Sequence, residues 1–87
     1  MTASYKIKWK SSAVKELRKL DSRAILQVLK SVEMLTSNPY PAGCRKLSAS
    51  EYTYRIRIGS YRVIYSIYKK ELVVEIVRVA HRKEAYR

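Results

Sequence analysis

Apolar residues recur along this chain with two different periods, and the switches between them divide it into elements. Tyr5, Ile7 and Trp9 alternate with Lys6, Lys8 and Lys10, the two-residue period of a strand buried on one side. The spacing then lengthens. Val14, Leu17 and Leu20 recur at helical intervals, Lys15, Glu16, Arg18 and Lys19 fill the opposite side, and Ser11 or Ser12 can supply the cap. Asp21 or Ser22 restarts the pattern, and Ile25, Val28, Leu29, Val32 and Leu35 form the stripe of a second, longer helix, with Gln27, Lys30 and Glu33 off it. That helix ends at Thr36-Ser37-Asn38-Pro39, because a proline disfavours helical geometry in the residue before it. The loop runs on through Tyr40-Pro41-Ala42-Gly43.

The two-residue period returns at residues 54–67, YRIRIGSYRVIYSI, where two alternating runs flank Gly59-Ser60. A Gly-first loop of that length suits a type II′ turn, whose twist matches the strands. It fixes a register in which Ile58 faces Tyr61, Arg57 faces Arg62, Ile56 faces Val63 and Tyr54 faces Tyr65. One face is then apolar, from Tyr54 through Ile56, Ile58, Tyr61, Val63 and Tyr65 to Ile67. The other gathers Arg55, Arg57 and Arg62. Arg57 opposite Arg62 is a like-charge pair, which costs sheet stability and calls for an anionic partner. A second turn at Lys69-Lys70 leads to a last strand, residues 72–80. Pairing Ile67 with Leu72 would set Tyr65 against Val74 and Val63 against Ile76, put Val73, Glu75, Val77 and Val79 beside the arginines, and deliver His81 at the strand end.

Two amphipathic helices and a sheet with one apolar face of matching size must bury those surfaces against each other. The expected fold is α+β in the order β-α-α-β-β-β: two N-terminal helices packed on one face of a mostly antiparallel four-stranded sheet. No linker, repeat or second domain interrupts residues 1–87.

Composition narrows the partners. Hydrophobic residues make up 47% of the chain and there are only two Gly and two Pro, which is globular rather than disordered. Nineteen Lys and Arg against seven Asp and Glu give a net charge of +12, so polyanions are natural partners. No apolar run approaches the ~20 residues of a membrane span, and the first residues alternate charge where a signal peptide would be apolar. The expectation is a cytoplasmic protein with no membrane partner. One cysteine, Cys44, precludes an internal disulfide, and His81 is the one histidine, so no zinc cluster can form and neither metal nor cofactor is expected.

Two motifs carry a resemblance: YRIRIGSYRVIY, followed by VRVAHRKEAYR. Together with the element order, they resemble the RelE/ParE superfamily of bacterial toxins, and within it the RelE branch of messenger-RNA interferases. The resemblance implies a toxin of a type II toxin–antitoxin system. It would act as a metal-independent endoribonuclease that cuts messenger RNA in the ribosomal A site, by attack of a ribose 2′-hydroxyl on the adjacent phosphate. The implied partners are an acidic RelB-like antitoxin and the ribosome with its bound mRNA and rRNA.

The residues suit that chemistry. Charge on phosphoryl oxygens needs fixed positive donors, and the arginine fork fits phosphate at two points. By resemblance, Arg62 matches a strand arginine that contacts the reacting phosphate, Arg82 a second arginine at the end of the last strand, and Tyr86 a C-terminal tyrosine that orders the substrate or takes part in proton transfer. Arg55 and Arg57 stand where well-known members have lysines. A guanidinium does not readily give up its proton, so these two, with Arg45 and Lys46, are assigned to RNA binding and polarisation. The general acid and base lie between His81 and Tyr86. Imidazole moves protons readily near neutrality, whereas a phenol needs help from its surroundings. Against these stand plainer roles: arginines on a solvated strand face, a surface histidine, a terminal tyrosine closing the core. Two other functions share the fold or the charge, namely a ParE-type inhibitor of DNA gyrase and an RNA-binding module without catalysis.

Overall fold

A computed structural model describes residues 4–48 and 50–81. In chain order the elements are β1 (Lys6–Trp9), α1 (Ser11–Arg18), α2 (Ser22–Met34), β2 (Arg45–Lys46), β3 (Thr53–Ile58), β4 (Tyr61–Tyr68) and β5 (Val73–His81). The strands form one sheet in the order β1-β5-β4-β3-β2, with β1 parallel to β5 and every other pair antiparallel. The expected four-stranded sheet therefore gains a fifth, two-residue strand. Arg45 and Lys46 pair with Arg55 and Tyr54, a stretch too short for any periodicity to announce.

The helices lie on one face of the sheet. Ala13 of α1 and Val28, Val32 and Leu35 of the α2 segment meet Ile56, Ile58, Val63, Tyr65, Ile67, Val74, Ile76 and Val79 in a single core. Burying each valine, leucine or isoleucine side chain contributes about 1.5–3 kcal/mol, which is what holds the helical layer against the strands. Asp21 caps α2, its carboxylate accepting from the Ala24 N–H at 2.8 Å. α1 begins one residue earlier than expected: Lys10 is its N-cap, and neither serine caps it. Leu29, placed on the buried stripe by its spacing, is 40% exposed, while Ala24 is buried in its stead. The second helix is thus rotated slightly from the frame its bulkiest residues suggest.

The β3–β4 hairpin has the register the loop dictates, with Tyr54, Ile56, Arg57 and Ile58 opposite Tyr65, Val63, Arg62 and Tyr61. Gly59 has a φ of +59° and Ser60 is not among the positive-φ residues, the sign pattern of a type II′ turn. The β4–β5 register differs from expectation. The connection spans residues 69–72 with Leu72 at φ +55°, so Ile67 meets Val74 and Tyr65 meets Ile76. A bulge follows: Ile64 pairs with Arg78 and Val63 with Val79, leaving Val77 as the extra residue. Alternation flips beyond it. Val79, expected beside the arginines, is instead in the core, Ala80 stands opposite Arg62, and His81 stands opposite Tyr61.

β1 pairs only as far as Ile76, which would leave the rest of β5 as an open edge. Glu16 of α1 covers it. Its Oε1 accepts the Val79 N–H at 2.9 Å, and its Oε2 accepts from Arg78 Nε and Nη2 at 3.3 and 3.2 Å. The Arg78 ion pair is too exposed to add much. The bond to a strand N–H matters more, because it satisfies a backbone donor that no strand reaches. Glu16→Ala is expected to cost roughly 1–3 kcal/mol, by stranding that donor, and Glu16→Gln distinctly less, since its amide oxygen can still accept. Urea-unfolding midpoints of the two variants check this.

Tyr65, fully buried, donates its hydroxyl to the Pro39 carbonyl at 2.8 Å and so fastens the loop after α2 to the sheet. Burial pushes its phenol well above the ordinary tyrosine range, and neighbouring Cys44 adds in the same direction. The fold therefore favours the neutral phenol. Its contribution is complete below the unfolded tyrosine value of about 10 and is lost as pH climbs through the raised folded value. Urea midpoints should fall above about pH 10, and less steeply in Tyr65→Phe, which lacks the titrating group.

Candidate nucleic-acid interface

The sheet face away from the helices holds the arginines that the hairpin register brings together. Arg57 and Arg62 are cross-strand partners, and Arg45 and Arg55 are partners one ladder further out. Arg45, Arg55, Arg57 and Arg62, with Gly43, line a concavity of about 340 Å³. Gly43, at φ +88°, turns the loop so that it closes one side, a conformation that favours glycine. No acidic residue lines the concavity among the described residues.

Arg62 is 2% exposed, so its guanidinium forms the floor of the site while Arg57 stands exposed above it. Burying a charge next to like charges is unfavourable on both counts, through lost hydration and through repulsion. An arrangement of this kind is suited to receive a group with at least one full negative charge and several acceptor oxygens. Planar guanidinium forks fit phosphate best. Ala80 opposite Arg62 is the residue that sequence reasoning missed here, because only the bulge in β5 brings it there.

The other expected site residues are distributed as follows. Lys46 pairs with Tyr54, so alternation turns it from the face that Arg45 and Arg55 share. It borders a neighbouring depression with Ser48, Ser50 and Glu51. His81 is on the helix side of the sheet. Its ring meets Tyr61 edge-on, with centroids 5.6 Å apart, and shares a small cleft with Glu16 of α1 and Lys19, the C-cap of that helix. It is not on the arginine face, the side to which the alternation of the expected register assigns the strand end. Arg82 and Tyr86 lie outside the described residues. No group of three or more His, Cys, Asp or Glu side chains is arranged to hold a metal, and no helix is long and apolar enough to cross a membrane, among the described residues.

Two helices on one face of a mixed, mostly antiparallel sheet, with basic residues collected on the other, define the class of RelE/ParE toxins. Comparison with known proteins agrees. The family described as ParE toxin of type II toxin–antitoxin system, parDE, matches residues 7–86. The chain belongs to this family. A chain of the archaeal RelE–RelB complex from Pyrococcus horikoshii is 31% identical and superposes with a TM-score of 0.82 over 91% of this chain and 96% of that one. A chain of the toxin–antitoxin complex RelBE2 from Mycobacterium tuberculosis is 27% identical, with a TM-score of 0.82 over 94% and 95% of the two chains. The isolated Escherichia coli RelE toxin is 28% identical, with a TM-score of 0.80 over 95% and 92%. The protein is thus a toxin of a type II toxin–antitoxin system.

The arginine cluster has a thermodynamic signature. Arg57→Ala removes one member of a facing like-charge pair, so it should raise stability by roughly 0.2–1 kcal/mol at low salt. Inorganic phosphate should raise the melting temperature of the unaltered chain by mass action, and raise that of the variant less. Thermal scans with and without phosphate, at fixed ionic strength, measure both effects.

Proposed function

We propose that this toxin is a ribosome-dependent endoribonuclease that cuts messenger RNA in the A site. The observation that supports the reading most is the concavity in which Arg62 forms a buried floor and Arg45, Arg55 and Arg57 surround it. In the reaction a ribose O2′ attacks the adjacent phosphorus, the bond to the departing O5′ breaks, and negative charge accumulates on the phosphoryl oxygens. Preorganised guanidinium donors stabilise that charge at no reorganisation cost. In this reading Arg62 binds the reacting phosphate, Arg82 assists, and Arg55 and Arg57 hold the neighbouring backbone.

One proton leaves O2′ and one reaches O5′. The ring of His81 packs on Tyr61, on the helix side of the sheet, so this reading gives the proton-handling part to Tyr86. The partner that restrains the toxin is an acidic RelB-like antitoxin, in keeping with the RelE–RelB complexes among its structural relatives. Its carboxylates would offset the +12 charge and cover the arginines.

A second reading is inhibition of DNA gyrase without catalysis, which the match to the ParE family favours. Primer extension on a messenger held in programmed ribosomes distinguishes the two. Ribosome-dependent cutting is expected, reduced roughly 10²–10³-fold in Arg62→Ala and absent on free RNA. Loss of gyrase supercoiling activity with no cutting would favour the second reading, and binding without either effect would favour an RNA-binding module.

A further inference from the structure

A second concavity, of about 350 Å³, opens at the end of the sheet remote from Gly59. Tyr40, Tyr52, Tyr54 and Tyr68 line it, with Lys69 and Lys70 at its rim. The rings pack against one another as a cluster. Tyr40 meets Tyr54 edge-on at 5.3 Å between centroids, Tyr52 meets Tyr68 at 5.5 Å, and Tyr54 stacks on buried Tyr65 at 6.2 Å. Lys69 Nζ lies 5.5 Å from the Tyr40 ring centroid. A tyrosine cluster that served only the core would be covered, yet Tyr52 is 50% exposed and Tyr40 38%.

The concavity is reached from the arginine site around the β2 edge. Arg45 lines the arginine concavity, and its neighbour Lys46 lines the depression beside it. Glu51 lines both that depression and the tyrosine concavity. The arginine concavity and the Lys46 depression thus lie on the two sides of β2, the depression adjoins the tyrosine concavity at Glu51, and along β3 the distance from Arg57 to Thr53, next to Tyr52, is about 14 Å at the usual strand rise.

We infer that the tyrosine concavity is a base-stacking site for single-stranded RNA, reached by a strand whose backbone is held at the arginines and passes Lys46. Exposed aromatic faces beside lysines are the means by which unpaired bases are held without regard to sequence. Glu51 and Glu71, which also line the site, cancel the charge of the two lysines, so the site is not a phosphate trap. Carboxylates there can accept from the exocyclic amino groups of bases. The inference rests on the proposed RNA-binding role of the arginine concavity for the path of the strand, but not on cleavage.

The test is equilibrium binding of the full-length toxin to a short oligoribonucleotide, made uncleavable by 2′-O-methyl groups, and to the same oligomer with abasic sugars. Fluorescence anisotropy is read over a range of salt concentrations. Tyr40→Ala/Tyr52→Ala should weaken binding of the natural oligomer at least about fivefold, with an unchanged salt slope and no effect on the abasic oligomer. Tyr52→Phe should retain binding. Arg55→Ala should instead reduce the salt slope and weaken both oligomers alike. Both tyrosines are exposed, so the double variant should fold, and its melting temperature checks that. Equal affinity of folded double variant and unaltered toxin for the natural oligomer would overturn the inference. So would loss of antitoxin binding alone, which would make the site a protein-docking surface. Absence of ribosomal cleavage, by contrast, would count against the enzymatic reading and leave the stacking result standing.

Discussion

The turn at Gly59-Ser60 is the constraint on which the remaining structure depends. Side chains of a strand alternate faces, so a slip of one residue in the β3–β4 pairing would exchange Ile56 and Ile58 for Arg55 and Arg57 against the helices. A two-residue loop with positive φ at its first position permits one register only. The same geometric choice therefore places Ile56, Ile58, Val63 and Tyr65 in the core and Arg55, Arg57 and Arg62 on the opposite face. Core and site cannot vary independently in such an arrangement: the hydrophobic gain on one side holds the repelling arginines in place on the other.

The bulge in β5 plays the complementary part. It lies between the half of the strand that pairs with β1 and the half that α1 covers through Glu16. Val77, the extra residue, reverses the alternation, so that Val79 fills the core and small Ala80 stands opposite Arg62. In an unbroken register a valine at 79 would project from the arginine face, and His81 would stand there too. Bulges bend and re-aim a strand where regular pairing would not serve. Here the effect is to hand the end of β5 to α1, which links the helical layer to the strand that flanks Arg62.

How much of this could be read in the sequence follows from which signals are local. Alternation in β1, β3 and β4 and the Gly59 turn each depend on neighbours within a few residues, and each is legible. The second helix is legible less sharply, its start lying between Asp21 and Ser22 in the sequence and its last residue, Met34, falling short of residues 36–39 where the proline suggests the end. The register of β5 is not, because it depends on the geometry of residues 69–72 and on a bulge that no residue type announces; the side on which His81 falls went with it. β2 is only two residues long, and its pairing is a tertiary event that gathers Arg45 to the site while turning Lys46 from it. Glu16 illustrates the same limit. Among Lys15, Arg18 and Lys19 it is one more polar residue on a solvated helix face, and only the missing partner of the Val79 N–H gives it a task.

The cost of the arginine cluster bears on how the molecule works. Arg57 facing Arg62 and Arg45 facing Arg55 each oppose sheet formation, and Arg62 is buried as well. A domain of this size has only a modest margin of stability from which to offset such terms. An anion that enters the concavity meets four arginines whose backbone positions the strand register has already fixed, so the entropic cost of bringing them together falls on folding rather than on binding. The repulsion between the facing arginines and the attraction they offer a phosphate backbone are then two measures of one arrangement. Replacing arginines there to stabilise the fold would weaken the site by the same electrostatic interaction.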